Sequence, residues 1–177
     1  MADVLAIIPA RANSRGIPHK NIRPLARGRG GPDSRDSPVQ LAIACAQQAG
    51  VPCWVTTDDP HAAGQASDSC YAGVLRRPPE LAQDDTPMID VVQHALAQIP
   101  GPEDQIIVLL QPTQPLRQPR HLIAALDRLQ AGDWDSVVTI TPIPRTHAPA
   151  LVLMYGDASL TVSPYDGQAW AVRPTRR

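Results

Sequence analysis

Apolar residues in this chain fall alternately into short runs and helical stripes. Residues 4–8 form an aliphatic run that predicts a buried first strand. Residues 38–48 follow a helical period with Val39, Ile43 and Ala46 on one face, and Gly50 supplies the stop. A second strand is expected over 53–56, with Asp58-Asp59-Pro60 opening the next helix, and a third strand over 71–75. Residues 87–99 carry Met88, Ile89, Val92, Ala95, Leu96 and Ile99 as a stripe of period 3.6, closed by Pro100-Gly101. The run 105–110 is the most apolar and is expected to be the central strand. Residues 119–131 predict a helix with Leu122, Ile123, Leu126 and Leu129 inward and Gly132 as its end. Further strands are expected over 136–140 and 151–155.

Strand and helix thus alternate, which predicts an α/β fold with a mostly parallel sheet covered by helices on both faces. The prolines reinforce this reading. Ser37-Pro38, Asp59-Pro60 and Thr86-Pro87 each place a capping side chain before a proline at the first helical position, and Gln118-Pro119 repeats the pattern with a weaker cap. Four of the twenty prolines therefore mark helix starts, not disorder. In open parallel sheets ligands sit beyond the carboxyl ends of the strands, so the loops after Ile8, Thr56, Leu75, Leu110 and Ile140 become the places to look for chemistry.

Composition narrows the classes. A chain of 177 residues with 43% hydrophobic content suits one soluble domain over 1–177. A net charge of −1 implies no bulk attraction to nucleic acid or membrane. No apolar run approaches the roughly 20 residues of a membrane span, and the chain opens on a strand instead of a signal peptide. Cys45, Cys53 and Cys70 lack the spacing of a disulfide framework or zinc site, which points to a reducing cytoplasmic setting.

The first loop holds the densest chemistry: Ile8-Pro9-Ala10-Arg11-Ala12-Asn13-Ser14-Arg15-Gly16-Ile17-Pro18-His19-Lys20-Asn21. Lys20 is the only lysine of the chain. Backbone N–H groups over 13–16 could form an anion nest, with Gly16 permitting close approach and positive φ. Arg11 and Arg15 offer planar forks to phosphate oxygens, and Lys20 a compact mobile cation. The loop is neither a Walker A sequence nor a dinucleotide fingerprint. Asn21 has two readings, a nucleotide contact or a side chain that stabilises its own turn. After the fourth strand, Gln111-Pro112-Thr113-Gln114-Pro115-Leu116-Arg117 presents neutral donors between prolines, which suits a polyol better than proton transfer. Arg76 and Arg77 add guanidiniums before Asp84-Asp85, whose carboxylates also suit a helix N-terminus. Asp58 and Asp59 read either as metal-facing carboxylates or as caps, with the cap favoured for Asp59. No G-x-S-x-G elbow is present, which weakens an acyl-hydrolase reading.

These segments resemble the motifs of the CMP-N-acylneuraminate cytidylyltransferases (CMP-sialic acid synthetases). The first loop matches their opening motif. Val55-Thr56-Thr57-Asp58, then Arg77-Pro78-Pro79-Glu80-Leu81-Ala82 with Asp84, then Leu110-Gln111-Pro112-Thr113-Gln114-Pro115-Leu116-Arg117 match later ones in the same order. The resemblance implies a Rossmann-like three-layer nucleotidyltransferase fold, CTP as donor, Mg²⁺, a nine-carbon (nonulosonic) acid as acceptor, and often a homodimer. It implies catalytic roles for Arg11, Lys20 and Arg176. Ala10, Ser14, Arg15, Gly16, Asn21, Arg77 and Met88 would join Arg11 and Lys20 around the nucleotide, and Gln111 and Thr113 would meet the acceptor.

Departures from the pattern set further expectations. Met88 stands where the family often has a small hydroxyl residue beside the cytosine. Residues 30–37 replace a usual Gly-x-Pro-Leu turn, so an irregular entry into the first helix is expected, and the 27–37 loop has no assigned role. The family's late Asp-x-Asp metal ligands are not found, so the chain is expected to cover about three-quarters of a full-length member, without its C-terminal part. Alternative readings are a CTP-binding remnant without turnover, or a nucleotidyltransferase for pseudaminate, legionaminate or Kdo.

Overall fold

The computed structural model describes residues 3–12, 16–25, 36–69, 71–132 and 134–140, together with the backbone of 153–155 and 162–164. The chain divides into two compact units, Met1–Ile123 and Ala124–Arg177. In the first unit, strands β1 (Val4–Pro9), β2 (Cys53–Thr57), β3 (Ala72–Arg76) and β4 (Ile106–Leu109) form a parallel sheet in the order β3-β2-β1-β4. Helices α1 (Pro38–Gln48), α2 (Pro60–Asp68) and α3 (Met88–Leu96) make the crossovers, and α4 (Pro119–Ala131) follows β4. The chain steps outward from β1 to β3 and then returns to place β4 on the other side of β1. The sheet therefore has its topological switch between β1 and β4, the place where ligands bind in open sheets of this kind.

β1 is the buried strand, with Leu5 to Pro9 all inaccessible. Its side chains alternate between the two faces. Leu5 and Ile7 join Leu75 and Ala95 in one cluster, against which Trp54, Leu96, Ile99 and Ile107 pack. Ala6 and Ile8 point the other way, toward the face on which α1 contacts β1 and β2. Gly73 lies opposite Trp54 in the β2–β3 ladder, and any side chain there would run into the indole. Cys53, beneath this corner, is a free buried thiol whose pKa burial pushes up to about 11.

The caps explain why the helices begin where they do. The Ser37 hydroxyl accepts the Gln40 N–H, and the Gln40 side chain accepts the Ser37 N–H, a complete capping box ahead of Pro38. Entry into α1 is therefore regular, against the expectation from residues 30–37. Gly50, at φ 70°, ends α1 in a Schellman turn, its N–H donating to Gln47 and that of Val51 to Ala46. Asp59 caps α2 by accepting the His61 N–H at 2.9 Å.

Several expectations fail for physical reasons. Thr86 does not cap α3: Pro87 is itself the extended residue before the helix, and the Thr86 hydroxyl donates to the Glu80 carbonyl at 3.4 Å. That helix ends at Leu96, not Ile99. β4 is the outer strand of the described sheet, with Leu109 39% exposed. Apolar content does not fix strand order, because β1 is as aliphatic and lies between both neighbours. Residues 136–140 make no ladder among the described residues, and Val138 and Ile140 are exposed. The backbone of β5 (Leu153–Tyr155) is a strand, but it pairs antiparallel with β6 (Val162–Pro164) instead of extending the parallel sheet.

Candidate functional site

Parallel pairing carries the ends of β1, β2 and β3 to one edge, where the polar loops meet. Pro9 lies beside Thr56 in the ladder, and the Ala10 N–H continues it by donating to the Thr56 carbonyl at 3.0 Å. The buried Thr57 hydroxyl donates to the Ala10 carbonyl and accepts the Asp59 N–H at 2.9 Å, which joins the first loop to the start of α2. Asp58 accepts the Ala12 N–H at 2.9 Å. The buried Asn21 amide donates to the Arg11 carbonyl at 3.0 Å, and the Asn21 carbonyl accepts the Val39 N–H at 3.0 Å in the first turn of α1. In this structure the Asn21 side chain therefore holds the backbone of its own loop.

Two guanidiniums converge on this scaffold. Arg77 is 4% exposed and donates through Nη2 to the Thr56 carbonyl at 2.6 Å and through Nε to the Thr56 hydroxyl at 3.4 Å. Its own N–H donates to the Thr57 carbonyl at 2.8 Å. Burial lowers the Arg77 pKa from its ordinary value, the Asp58 carboxylate opposes that fall, and the Arg11 charge adds to it. Arg11 is half-buried and forms an ion pair with Asp84. The site is thus a cationic corner whose charge is partly balanced by its own carboxylates. It can bind an extended anion and stabilise charge that develops on it.

Lys20 stands in a turn made by His19, the residue with positive φ here (55°). The Lys20 N–H donates to Ile17 at 3.2 Å, and the Ile22 and Arg23 N–H groups donate to His19 at 3.1 and 2.9 Å. The left-handed position is therefore His19 and not Gly16, which is exposed and has no neighbouring atom within 4 Å of where a Cβ would stand. Ser14, Arg15 and Arg176 lie outside the described residues.

Across the switch point, the Leu110 N–H donates to the Ile7 carbonyl at 2.9 Å and launches the second loop beside the first. Arg117 donates through Nη2 to the Gln111 carbonyl at 3.3 Å and to Gln114 Oε1 at 2.6 Å. Burial lowers the Arg117 pKa, and nearby Cys45 opposes the shift. Gln111 is half-buried, Thr113 exposed, and Met88 half-buried at the first turn of α3.

The structure places Arg11, Asn21 and Arg77 at one edge of the sheet. Sequence reasoning missed Thr57 as the tie between loops, Asp58 as the acceptor for Ala12, and Asp84 as the partner of Arg11. The signal for the first two was a run of four hydrogen-bonding side chains, Thr56-Thr57-Asp58-Asp59, of which one cap uses only one.

Residues 5–149 match the model of the cytidylyltransferase family. The chain is 31% identical over 166 residues to the N-acylneuraminate cytidylyltransferase of Escherichia coli, covering 92% of this chain and 36% of that protein. It is 32% identical over 143 residues to the CMP-N,N'-diacetyllegionaminic acid synthase of Legionella pneumophila, covering 79% of this chain and 58% of that protein. The fold is similar to that of a CMP-2-keto-3-deoxy-manno-octonic acid synthetase solved with CTP, with a TM-score of 0.58 at 22% identity over 73% of this chain and 48% of that one. The arrangement is accordingly the Rossmann-like one expected of a nucleotidyltransferase. The chain spans about a third of the length of the first curated relatives it matches, not most of it.

Proposed function

The chain belongs to the cytidylyltransferase family, and on that premise we propose that it transfers CMP from CTP to a nonulosonic acid of the sialic type, releasing pyrophosphate. The observation that carries this reading is the corner itself. Arg11 and Arg77 meet there, on a backbone tied at Ala10, Arg11 and Ala12.

In the reaction, the anomeric hydroxyl of the acceptor forms a bond to the α-phosphorus of CTP. The bond from that phosphorus to the bridging oxygen breaks, pyrophosphate departs and the hydroxyl proton passes to solvent. Arg11 and Lys20 hold the triphosphate and stabilise the charge that grows on the leaving pyrophosphate. Arg77 and Asn21 support the nucleotide side through Thr56 and the Arg11 carbonyl, and Gln111 and Thr113 offer neutral hydrogen bonds to the acceptor. Most of the rate enhancement comes from positioning and fixed charge.

The resemblance implies Mg²⁺, for which carboxylates and phosphate oxygens are the fitting donors. Among the described residues no group of three or more His, Cys, Asp or Glu could hold a metal ion. Asp58 is engaged by Ala12 and Asp84 by Arg11. The described residues therefore supply no preformed carboxylate cluster, and Mg²⁺ would rest mainly on the triphosphate oxygens, where it would offset their charge. Two buried free thiols, Cys45 and Cys53, support a reducing, cytosolic setting. No helix among the described residues is long and apolar enough to cross a membrane.

The test is pyrophosphate release from CTP with N-acetylneuraminate, N,N'-diacetyllegionaminate and Kdo in parallel, beside calorimetric CTP binding. Release with a nine-carbon acid is the expected result, and release with Kdo alone would reassign the acceptor. Binding of CTP without release from any acceptor would reduce the activity to nucleotide binding. Failure to bind CTP would remove the reading altogether.

A further inference from the structure

Three consecutive residues of the first loop are each held by a side chain, two from beyond the loop and one from its far end. The Ala10 carbonyl takes the Thr57 hydroxyl, the Arg11 carbonyl takes the Asn21 amide, and the Ala12 N–H gives to Asp58. Arg11 is thus bracketed on both sides.

Asp58 is the member of this set whose presence needs a reason. It is not the cap of α2, because Asp59 fills that role. A carboxylate beside Arg11 and Arg77 repels the anion that those residues would bind, so on charge alone it disfavours the ligand. Its return is the bond to Ala12, which spans 46 residues of sequence at 2.9 Å. Without that acceptor, nothing else described at the corner holds the Ala12 N–H.

We infer that Asp58 is a positioning residue of the nucleotide pocket: it accepts the Ala12 N–H and so fixes Arg11 and the start of the phosphate loop. It acts through the loop and does not touch the reacting atoms. The inference rests on the proposed nucleotide reading, and its test separates the two. Asparagine keeps an acceptor oxygen in the same place, whereas alanine removes it.

In the ligand-free protein, amide hydrogen exchange at Ala12 reads the bond directly. Asp58→Ala is expected to speed that exchange and to weaken CTP binding by about tenfold or more, as loss of a hydrogen bond to a charged group does. Asp58→Asn is expected to keep Ala12 protected and to hold CTP affinity within about threefold, since the acceptor survives. The KM for CTP should rise in Asp58→Ala while the KM for the acceptor stays level. Unchanged Ala12 protection in Asp58→Ala would overturn the inference, as would Asp58→Asn behaving like Asp58→Ala. Should Asp58→Ala fail to fold, Ala12 exchange in Asp58→Asn still decides, because an unprotected amide there contradicts the pin. If the unmodified chain does not bind CTP, the functional reading falls, while Ala12 exchange still tests the positioning.

Discussion

The two loops that flank the switch point are built differently. The corner at the ends of β1, β2 and β3 is held by ties between distant parts of the sequence: Ala12 to Asp58, Ala10 to Thr57, Arg77 to Thr56 and Arg11 to Asp84. The loop after β4 is held from within, by Arg117 on Gln111 and Gln114 and by the N–H groups of Gln114 and Arg117 on carbonyls three residues back. Long-range ties form only when the sheet forms and are lost only when it opens. Local ties can rearrange without breaking a strand. Under the proposed function, the corner with long-range ties would serve the nucleotide and the locally tied loop the acceptor.

The largest expected effect comes from removing the cation that the rigid corner presents. Arg11→Ala should cut kcat/KM by about 10²–10³, the size of one preorganised charged contact, with little change in the melting temperature because its ion pair is half-exposed. Arg11→Lys should recover only a small part, since a point charge does not replace the planar fork. A loss below about tenfold would mean that the corner is scaffold and not site.

Next in size is the scaffold. The Thr57 hydroxyl serves two buried partners, the Ala10 carbonyl and the Asp59 N–H. Thr57→Val keeps the shape and leaves both unpaired, at a cost of about 2 kcal/mol. For a chain of this length that corresponds to a melting temperature lower by about 4–8 °C. The equivalent local break, Arg117→Ala, should cost less than half as much. Equal losses in calorimetry would erase the distinction between the loops.

How much of this was legible before folding depends on whether the signal was local. Ser37, Gly50 and Asp59 were readable because a cap or a left-handed stop is decided by a few neighbouring residues. Thr86 was misread for the same reason: its pattern was right, but the extended Pro87 turned the hydroxyl toward Glu80. The rule about strand carboxyl ends found the corner. It could not find its ties, because pairing Asp58 with Ala12 requires knowing that β1 and β2 are neighbours in parallel register. Strand order was invisible to hydrophobicity: the reversal of the chain path after β3 is what sets β4 beside β1, at the margin of the described sheet.

On the acceptor side, Gln111→Ala should raise the KM for the sugar acid by about tenfold, the worth of a hydrogen bond or two. CTP affinity should be unchanged, because the Gln111 carbonyl that receives Arg117 is backbone and survives the substitution. A parallel loss of CTP affinity would show that the two loops act as one unit.

The smallest effect concerns Asp84, and its sign carries the information. In the ligand-free protein its carboxylate holds the Arg11 guanidinium, with the two side chains 28% and 31% exposed. A phosphate must replace that carboxylate to engage the same fork. Such a half-exposed pair is worth no more than about 1 kcal/mol, so Asp84→Asn should tighten CTP binding by about two- to fivefold and leave the melting temperature nearly level. The gain should shrink as salt is added, since screening weakens the competing pair first. Weaker binding in Asp84→Asn would mean that Asp84 aims Arg11 instead of competing for it. The guanidinium would then be as preorganised as the backbone beneath it, and the contrast with the loop after β4 would be larger than hydrogen bonds alone describe.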